Sequence, residues 1–246
     1  ADPGQFLTLS IDKPEKGKYF FSLGYFENEG TIKFSKFDRI SERVKSDYKL
    51  LNGLLTIGEN FTLNRTSEVK SPGDVLDLSL KALPMVPVHT IDGLGWGGPS
   101  KGMNDRQNPV RLITYNKDNP YQYWRTFGNA FAILEPVKDL QIRTSIGIDY
   151  GNFFKRYMQR TYQSGFLSNT ISGVNLEQSH SMKWSWTNTA AYKKSIGNHS
   201  FDVLAGMEMF RQSDISFNAY TSGENAFTVE TPEYMWPGVS TGKAQV

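Results

Sequence analysis

Leu54-Leu55-Thr56-Ile57-Gly58-Glu59-Asn60-Phe61-Thr62-Leu63-Asn64-Arg65 is the stretch that decides the fold. Leu55, Ile57, Phe61 and Leu63 fall on one parity and Thr56, Gly58, Asn60, Thr62 and Asn64 on the other, the period of a strand with one apolar and one polar face. Residues 140–150 repeat it, with Leu140, Ile142, Ile146, Ile148 and Tyr150 set against Gln141, Arg143, Ser145, Gly147 and Asp149. Upstream, Ile40, Val44, Tyr48 and Leu50 alternate with Arg39, Arg43, Lys45, Asp47 and Lys49. The pair Asn52-Gly53 between these segments matches a two-residue type I′ hairpin, whose central positions both need positive φ.

Working outward, strands are expected at 18–26, 37–51, 54–65, 121–135, 140–150, 182–194 and 200–212. Short joints fall at 52–53, 136–139 and 195–198, and long polar excursions at 66–119, 151–179 and 214–246. Connections that long do not join strands of a compact domain without a task of their own. In the first, Ser71-Pro72-Gly73-Asp74 ahead of Val75, Leu76, Leu78, Leu80 and Leu83 predicts one short helix ending at Pro84. Gly93-Leu94-Gly95-Trp96-Gly97-Gly98-Pro99 reads as flexible loop. Short and long connections alternate, so all the short turns lie at one end of the sheet. The chain is therefore expected to be all-β: an antiparallel up-and-down meander, part of a transmembrane β-barrel, with short periplasmic turns, long extracellular loops and one short helix in a loop.

Composition narrows the function. The 246 residues carry 27 basic and 25 acidic side chains, a net charge of +2 with no basic arm, so no nucleic-acid partner is expected. With no cysteine, disulfides, thiolate nucleophiles and zinc–thiolate sites are excluded together. A mean hydropathy of −0.47 and the absence of an apolar run of about 18 residues exclude a helical span but not a barrel, whose strands average two faces. Residues 1–17 lack the apolar centre of a signal peptide, so either the signal has been removed or the chain is an excerpt. A soluble, secreted β-sandwich that binds glycans writes the same alternation and stays open as the second architecture. Strands of about 12 to 15 residues favour the barrel.

Two blocks resemble a known family. Tyr19-Phe20-Phe21-Ser22-Leu23-Gly24-Tyr25-Phe26-Glu27-Asn28-Glu29-Gly30, with Phe37-Asp38-Arg39 and Ile57-Gly58-Glu59-Asn60-Phe61, is similar to the mid-barrel region of SusC/RagA-type TonB-dependent outer-membrane transporters. Trp186-Thr187-Asn188-Thr189, Tyr192 and Gly197-Asn198-His199-Ser200-Phe201-Asp202-Val203-Leu204-Ala205-Gly206-Met207-Glu208 resembles a long-strand hairpin of the same family. The resemblance runs from Tyr19 to the C-terminus. It divides the chain into 1–17, an N-terminal extension or preceding segment, and 18–246, a partial barrel without the plug, the TonB box or the later strands. It implies uptake of oligosaccharides or peptides across the outer membrane, driven through TonB, beneath a SusD-type surface lipoprotein.

On that footing Arg39, Arg43, Asp47, Asn60 and Arg143 are expected to line a wet lumen, and Ile57, Phe61, Ile142 and Ile148 to meet lipid. Phe153, Phe154 and Tyr157 are expected in the outer aromatic girdle. Sugar-like substrates are held by aromatic platforms beside planar hydrogen-bonding groups. Candidates of those types are Trp96, Asn104, Asp105, Arg106, Tyr121, Tyr123, Trp124, Arg125 and Trp236. No catalytic motif is present, and His89, His180 and His199 lack ligand spacing, so neither a catalytic residue, a metal nor a cofactor is expected. About six strands cannot close a wide barrel, and the chain alone is expected to self-associate through its edges.

Overall fold

The computed structural model describes residues 5–13, 17–238 and 244–245. Strands β1 (Gln5–Lys13), β2 (Gly17–Glu29), β3 (Lys36–Leu50) and β4 (Leu55–Val69) lead into α1 (Val75–Lys81) and α2 (Pro109–Asn116). Then come β5 (Tyr121–Val137), β6 (Leu140–Gln159), the short pair β7 (Tyr162–Ser164) and β8 (Leu167–Asn169), β9 (Ile171–Ile196), β10 (His199–Glu224) and β11 (Ala244–Gln245). Nine strands form one antiparallel sheet in the order β1-β2-β3-β4-β5-β6-β9-β10-β11, and β7–β8 is a separate hairpin at its loop end. The meander expected from the alternation is the fold. Its two edges do not pair with each other, so the sheet stays open.

Register shows why the alternation held. Residues directly opposite share a face, and one row runs Leu9, Phe21, Val44, Phe61, Gly128, Ile148, Trp184. The row beside it on the other face runs Thr8, Ser22, Arg43, Thr62, Phe127, Asp149, Lys183. Arg39, Arg43, Asp47, Asn60 and Arg143 all lie on this polar face, and Ile57, Phe61, Ile142 and Ile148 on the apolar one. The apolar face is not a core. Leu9, Ile57, Ile146, Val203 and Met207 are exposed along it, whereas the buried apolar cluster is small and sits at the loop end: Met158, Val174, Ala226, Phe227 and Met235. A soluble sheet covers its apolar face with a second layer, and the described residues supply none. Two pairs of polar groups on that face satisfy each other: Ser46 Oγ donates to Glu59 Oε1 at 2.6 Å, and Trp186 Nε1 donates to Thr144 Oγ1 at 2.9 Å.

Several elements differ from expectation. Residues of the N-terminal stretch form β1, in register with β2 from Gln5 opposite Tyr25 to Lys13 opposite Gly17. The Asn52-Gly53 turn is a four-residue loop, 51–54, between the paired Leu50 and Leu55. Leu51, Asn52 and Gly53 all have positive φ (52°, 54° and 90°), so three consecutive residues take the conformation that a type I′ turn asks of two. Two-residue joints at 138–139 and 197–198 place Asp139 at φ 75° and Gly197 at φ 59°. Pro136 cannot donate to the ladder, and the register slips there between Leu134 and Val137.

The excursions contain more strand than expected. β6 runs on through Gln159, β9 starts at Ile171, and β10 reaches Glu224, so β9 and β10 are 26 residues each. Beyond a membrane both faces of a strand are wet and the apolar parity that marks it fades. The helix α1 forms where Pro72 and Asp74 announced it, although it stops at Lys81, short of Pro84. α2 was not expected, yet its signal is local: Asn108 caps it by accepting from Val110 N (3.0 Å) and Arg111 N (3.1 Å), ahead of Pro109.

Candidate functional site

The polar face of β4, β5, β6 and β9, close beneath the long loops, gathers aromatic and charged side chains. Tyr121, Tyr123 and Arg125 alternate on β5, so all three share this face, opposite Lys155, Phe153 and Gly151 of β6. Arg125 donates from Nε and Nη2 to the two carboxylate oxygens of Asp149, at 2.9 and 2.8 Å, a fork that fixes both side chains. Its guanidinium also lies 5.1 Å from the Phe127 ring. Tyr121 is flanked by Lys70 at 4.8 Å and Lys155 at 4.9 Å, and Lys155 reaches Glu177 at 3.9 Å. Gly151 has no side chain because Tyr123 lies over it: a Cβ there would stand 2.6 Å from the tyrosine hydroxyl. The result is a row of flat rings interleaved with cations and one carboxylate, suited to stacking on and hydrogen bonding a polar, extended molecule.

The structure does not bring all nine sequence candidates together. Trp124 lies on the opposite, apolar parity and carries Arg65 over its ring at 5.5 Å. Trp236 packs on Arg156 at 4.0 Å and Phe154 at 6.4 Å, also on that outer parity. Phe154 thus faces outward as expected of a girdle, but Phe153 and Tyr157 fall on the inner parity, and Phe153 contacts Tyr121 at 6.2 Å. Asn104, Asp105 and Arg106 belong to the loop before α2, where Asn104 Nδ2 donates to Lys81 O at 3.3 Å and its Oδ1 accepts from Arg106 N at 3.4 Å.

Trp96 is a junction: it stacks on His89 at 4.9 Å, donates to the Tyr115 hydroxyl at 3.1 Å and bridges Ser164 in β7. The glycines around it are there for close approach, which corrects the expectation of flexibility. A Cβ on Gly97 would stand 1.8 Å from Pro87 O, and one on Gly98 2.1 Å from Ser164 O. Asn108 Nδ2 ties the same junction by donating to Val88 O (2.8 Å) and Gly97 O (2.9 Å).

Sequence reasoning placed Phe153 in the girdle and passed over Asp149 and Lys155 as site residues; all three complete the wall, and their parity within 140–159 would have marked them. It also passed over Arg111. That residue is 3% exposed, its guanidinium stacked 3.5 Å from the Tyr162 ring and 5.7 Å from that of Tyr115. Burial pushes the guanidinium down from its ordinary value, opposed by the nearby tyrosines Tyr162, Tyr115 and Tyr157. Gln107 and Tyr115 stand four residues to either side of it, but the ring it stacks on, Tyr162, comes from β7, and that contact has no local signal. Among the described residues no three His, Asp or Glu side chains assemble as a metal set.

An antiparallel meander with one exposed apolar face, one polar face, short turns at one end and structured loops at the other is the wall of a transmembrane β-barrel. Known proteins place it more narrowly. No protein-family model matches the chain. A TonB-dependent receptor of Formosa agariphila is 24% identical over 195 residues, covering 78% of this chain and 19% of that protein. The solved structure of the RagAB peptide importer in its closed-closed state superposes with a TM-score of 0.71 at 19% identity, over 98% of this chain and 28% of the other. The siderophore receptor PiuA from Acinetobacter baumannii superposes with a TM-score of 0.54 at 10% identity, over 98% of this chain and 35% of that one. The chain has the fold of a stretch of the barrel wall seen in the RagAB importer, and spans about a fifth of the curated relative's length.

Proposed function

We propose that this chain is a section of the barrel wall of an outer-membrane, TonB-dependent importer of bulky nutrients, oligosaccharides or peptides. The observation that carries the proposal is the sorting of faces: apolar side chains exposed on one parity, and the Tyr121–Tyr123–Arg125–Asp149 wall on the other. Residues 18–246, with β1 ahead of them, are read as one partial barrel domain. Tyr121, Tyr123 and Arg125 are the residues proposed to contact substrate in the lumen, with Asn104, Asp105 and Arg106 at the loop rim. Trp96 holds the loops together, and Trp124 and Trp236 belong to the outer surface. The role is transport without catalysis, consistent with relatives described as receptors and importers.

Partners follow from the same reading: outer-membrane lipid on the apolar face, TonB through segments beyond this chain, and a SusD-type lipoprotein over the loops. Support for the last is apolar surface on the long excursion, where Leu80 is 88% exposed and Leu76, Met85, Ile91 and Leu94 are exposed as well. The second architecture, a soluble glycan-binding sandwich, needs a covering sheet that the described residues do not contain. The test is uptake of labelled oligosaccharides and oligopeptides by cells producing the intact protein, with and without TonB. TonB-dependent uptake of at least one class is expected, and uptake of neither class would sink the proposal.

A further inference from the structure

We propose that the cleft beneath α2, built around Arg111, binds a planar carboxylate on the imported molecule; this rests on the importer reading above. The cleft measures about 580 Å³ and is lined by Gln107, Arg111, Tyr115, Tyr157, Arg160 and Asn169 among others, with no acidic side chain in its wall. Arg111 enters it nearly fully buried, and its side chain makes one hydrogen bond, from Nη2 to Gln107 Oε1 at 2.6 Å. Its Nε is buried without a partner, and no carboxylate of the described residues forms an ion pair with it. The nearby acids are engaged elsewhere: Asp118 pairs with Arg160 at 2.6 Å, and Glu230 accepts from Thr161 N at 2.7 Å.

A buried cation with one neutral partner is costly, and stacking on Tyr162 offsets only part of that cost. An anion is the partner that suits such a group. A guanidinium fork held flat against a tyrosine ring presents its donors in a plane, the geometry that a carboxylate meets with two parallel hydrogen bonds. The shared chemistry is a carboxylate, carried either by an acidic or C-terminal group of a peptide or by a uronic acid of an oligosaccharide.

Titration calorimetry on the intact transporter in detergent tests this with two matched probe pairs. One is a glutamate-containing pentapeptide against its glutamine, C-terminally amidated counterpart; the other is trigalacturonate against its methyl ester. The protein is expected to prefer the charged member of one pair by about tenfold or more, and the pair showing it identifies the source of the carboxylate. Arg111→Gln should bring the charged member down to the uncharged one while leaving the latter unmoved, and Arg111→Lys, which keeps the charge without the planar fork, should restore only part. Equal binding within both pairs by the unmodified protein overturns the proposal without reference to any variant. So does an Arg111→Gln protein that weakens both members alike, which would make Arg111 a packing pin. Uptake plays no part in the measurement, so a failed transport assay and a failed carboxylate preference are separate results.

Discussion

Arg125 and Asp149 form the best-aligned ion pair on the polar face, yet both side chains are substantially exposed, at 46% and 33%. Such pairs contribute roughly 0–1 kcal/mol, so Arg125→Gln should move the unfolding midpoint of the intact protein little while weakening substrate binding in calorimetry. A large loss of stability with binding unchanged would make the pair structural. Gly58 poses the opposite case. A Cβ there would stand 2.6 Å from Ser46 O and 2.7 Å from the Phe131 ring, which covers the glycine from across the strand pair. Gly58→Val should cost about 1–3 kcal/mol of stability through displacement of Phe131, read as an earlier urea-unfolding midpoint in lipid vesicles. Gly58 was legible only as a polar-parity residue. The ring that needs the vacant space comes from β5, more than sixty residues away in the chain, and no local pattern carries that information.

Apart from β1, which was read as an extension, the strands were legible where they alternate an apolar and a polar side and obscure where they do not. Residues 140–150 alternate clearly, but 151–159 of the same strand do not, because Asn152 through Gln159 no longer separate an oily side from a wet one. That strand continues past the end of the membrane, so the alternation marks where the bilayer ends and not where the strand does. The face assignment makes a direct test. Ile148→Arg on the apolar parity of β6 should cost about 2–4 kcal/mol in vesicles, and Thr187→Arg on the polar parity of β9 should be close to neutral; equal costs would remove the lipid-facing assignment. In the long excursion, Asn108 joins an α2 cap to two carbonyls of the Trp96 junction. Asn108→Ala should therefore cost about 1–2 kcal/mol locally, and limited proteolysis should cut 82–108 while the barrel remains resistant. Its Asn-Pro signal was available in the sequence; the carbonyls it also binds were not.

As a whole, the described residues form a sheet with two open edges and an apolar face that is covered only at the loop end, where Met158 and Val174 pack on Ala226, Phe227 and Met235. The chain on its own should aggregate in plain buffer and become dispersed in detergent, as followed by light scattering behind size-exclusion chromatography; a detergent-free monomer would contradict the barrel assignment. The β9–β10 hairpin carries a further consequence. At about 3.3 Å per residue, 26 residues span roughly 85 Å along the strand, or roughly 65 Å along the membrane normal at a barrel tilt near 40°. An apolar band of about 25 Å accounts for well under half of that height. With only a two-residue turn at the opposite end, the surplus stands above the cell as a ladder-stiffened parapet. On the importer reading proposed above, cargo would first meet the protein tens of ångströms outside the bilayer, on a rim held by strand pairing and not by loose loop.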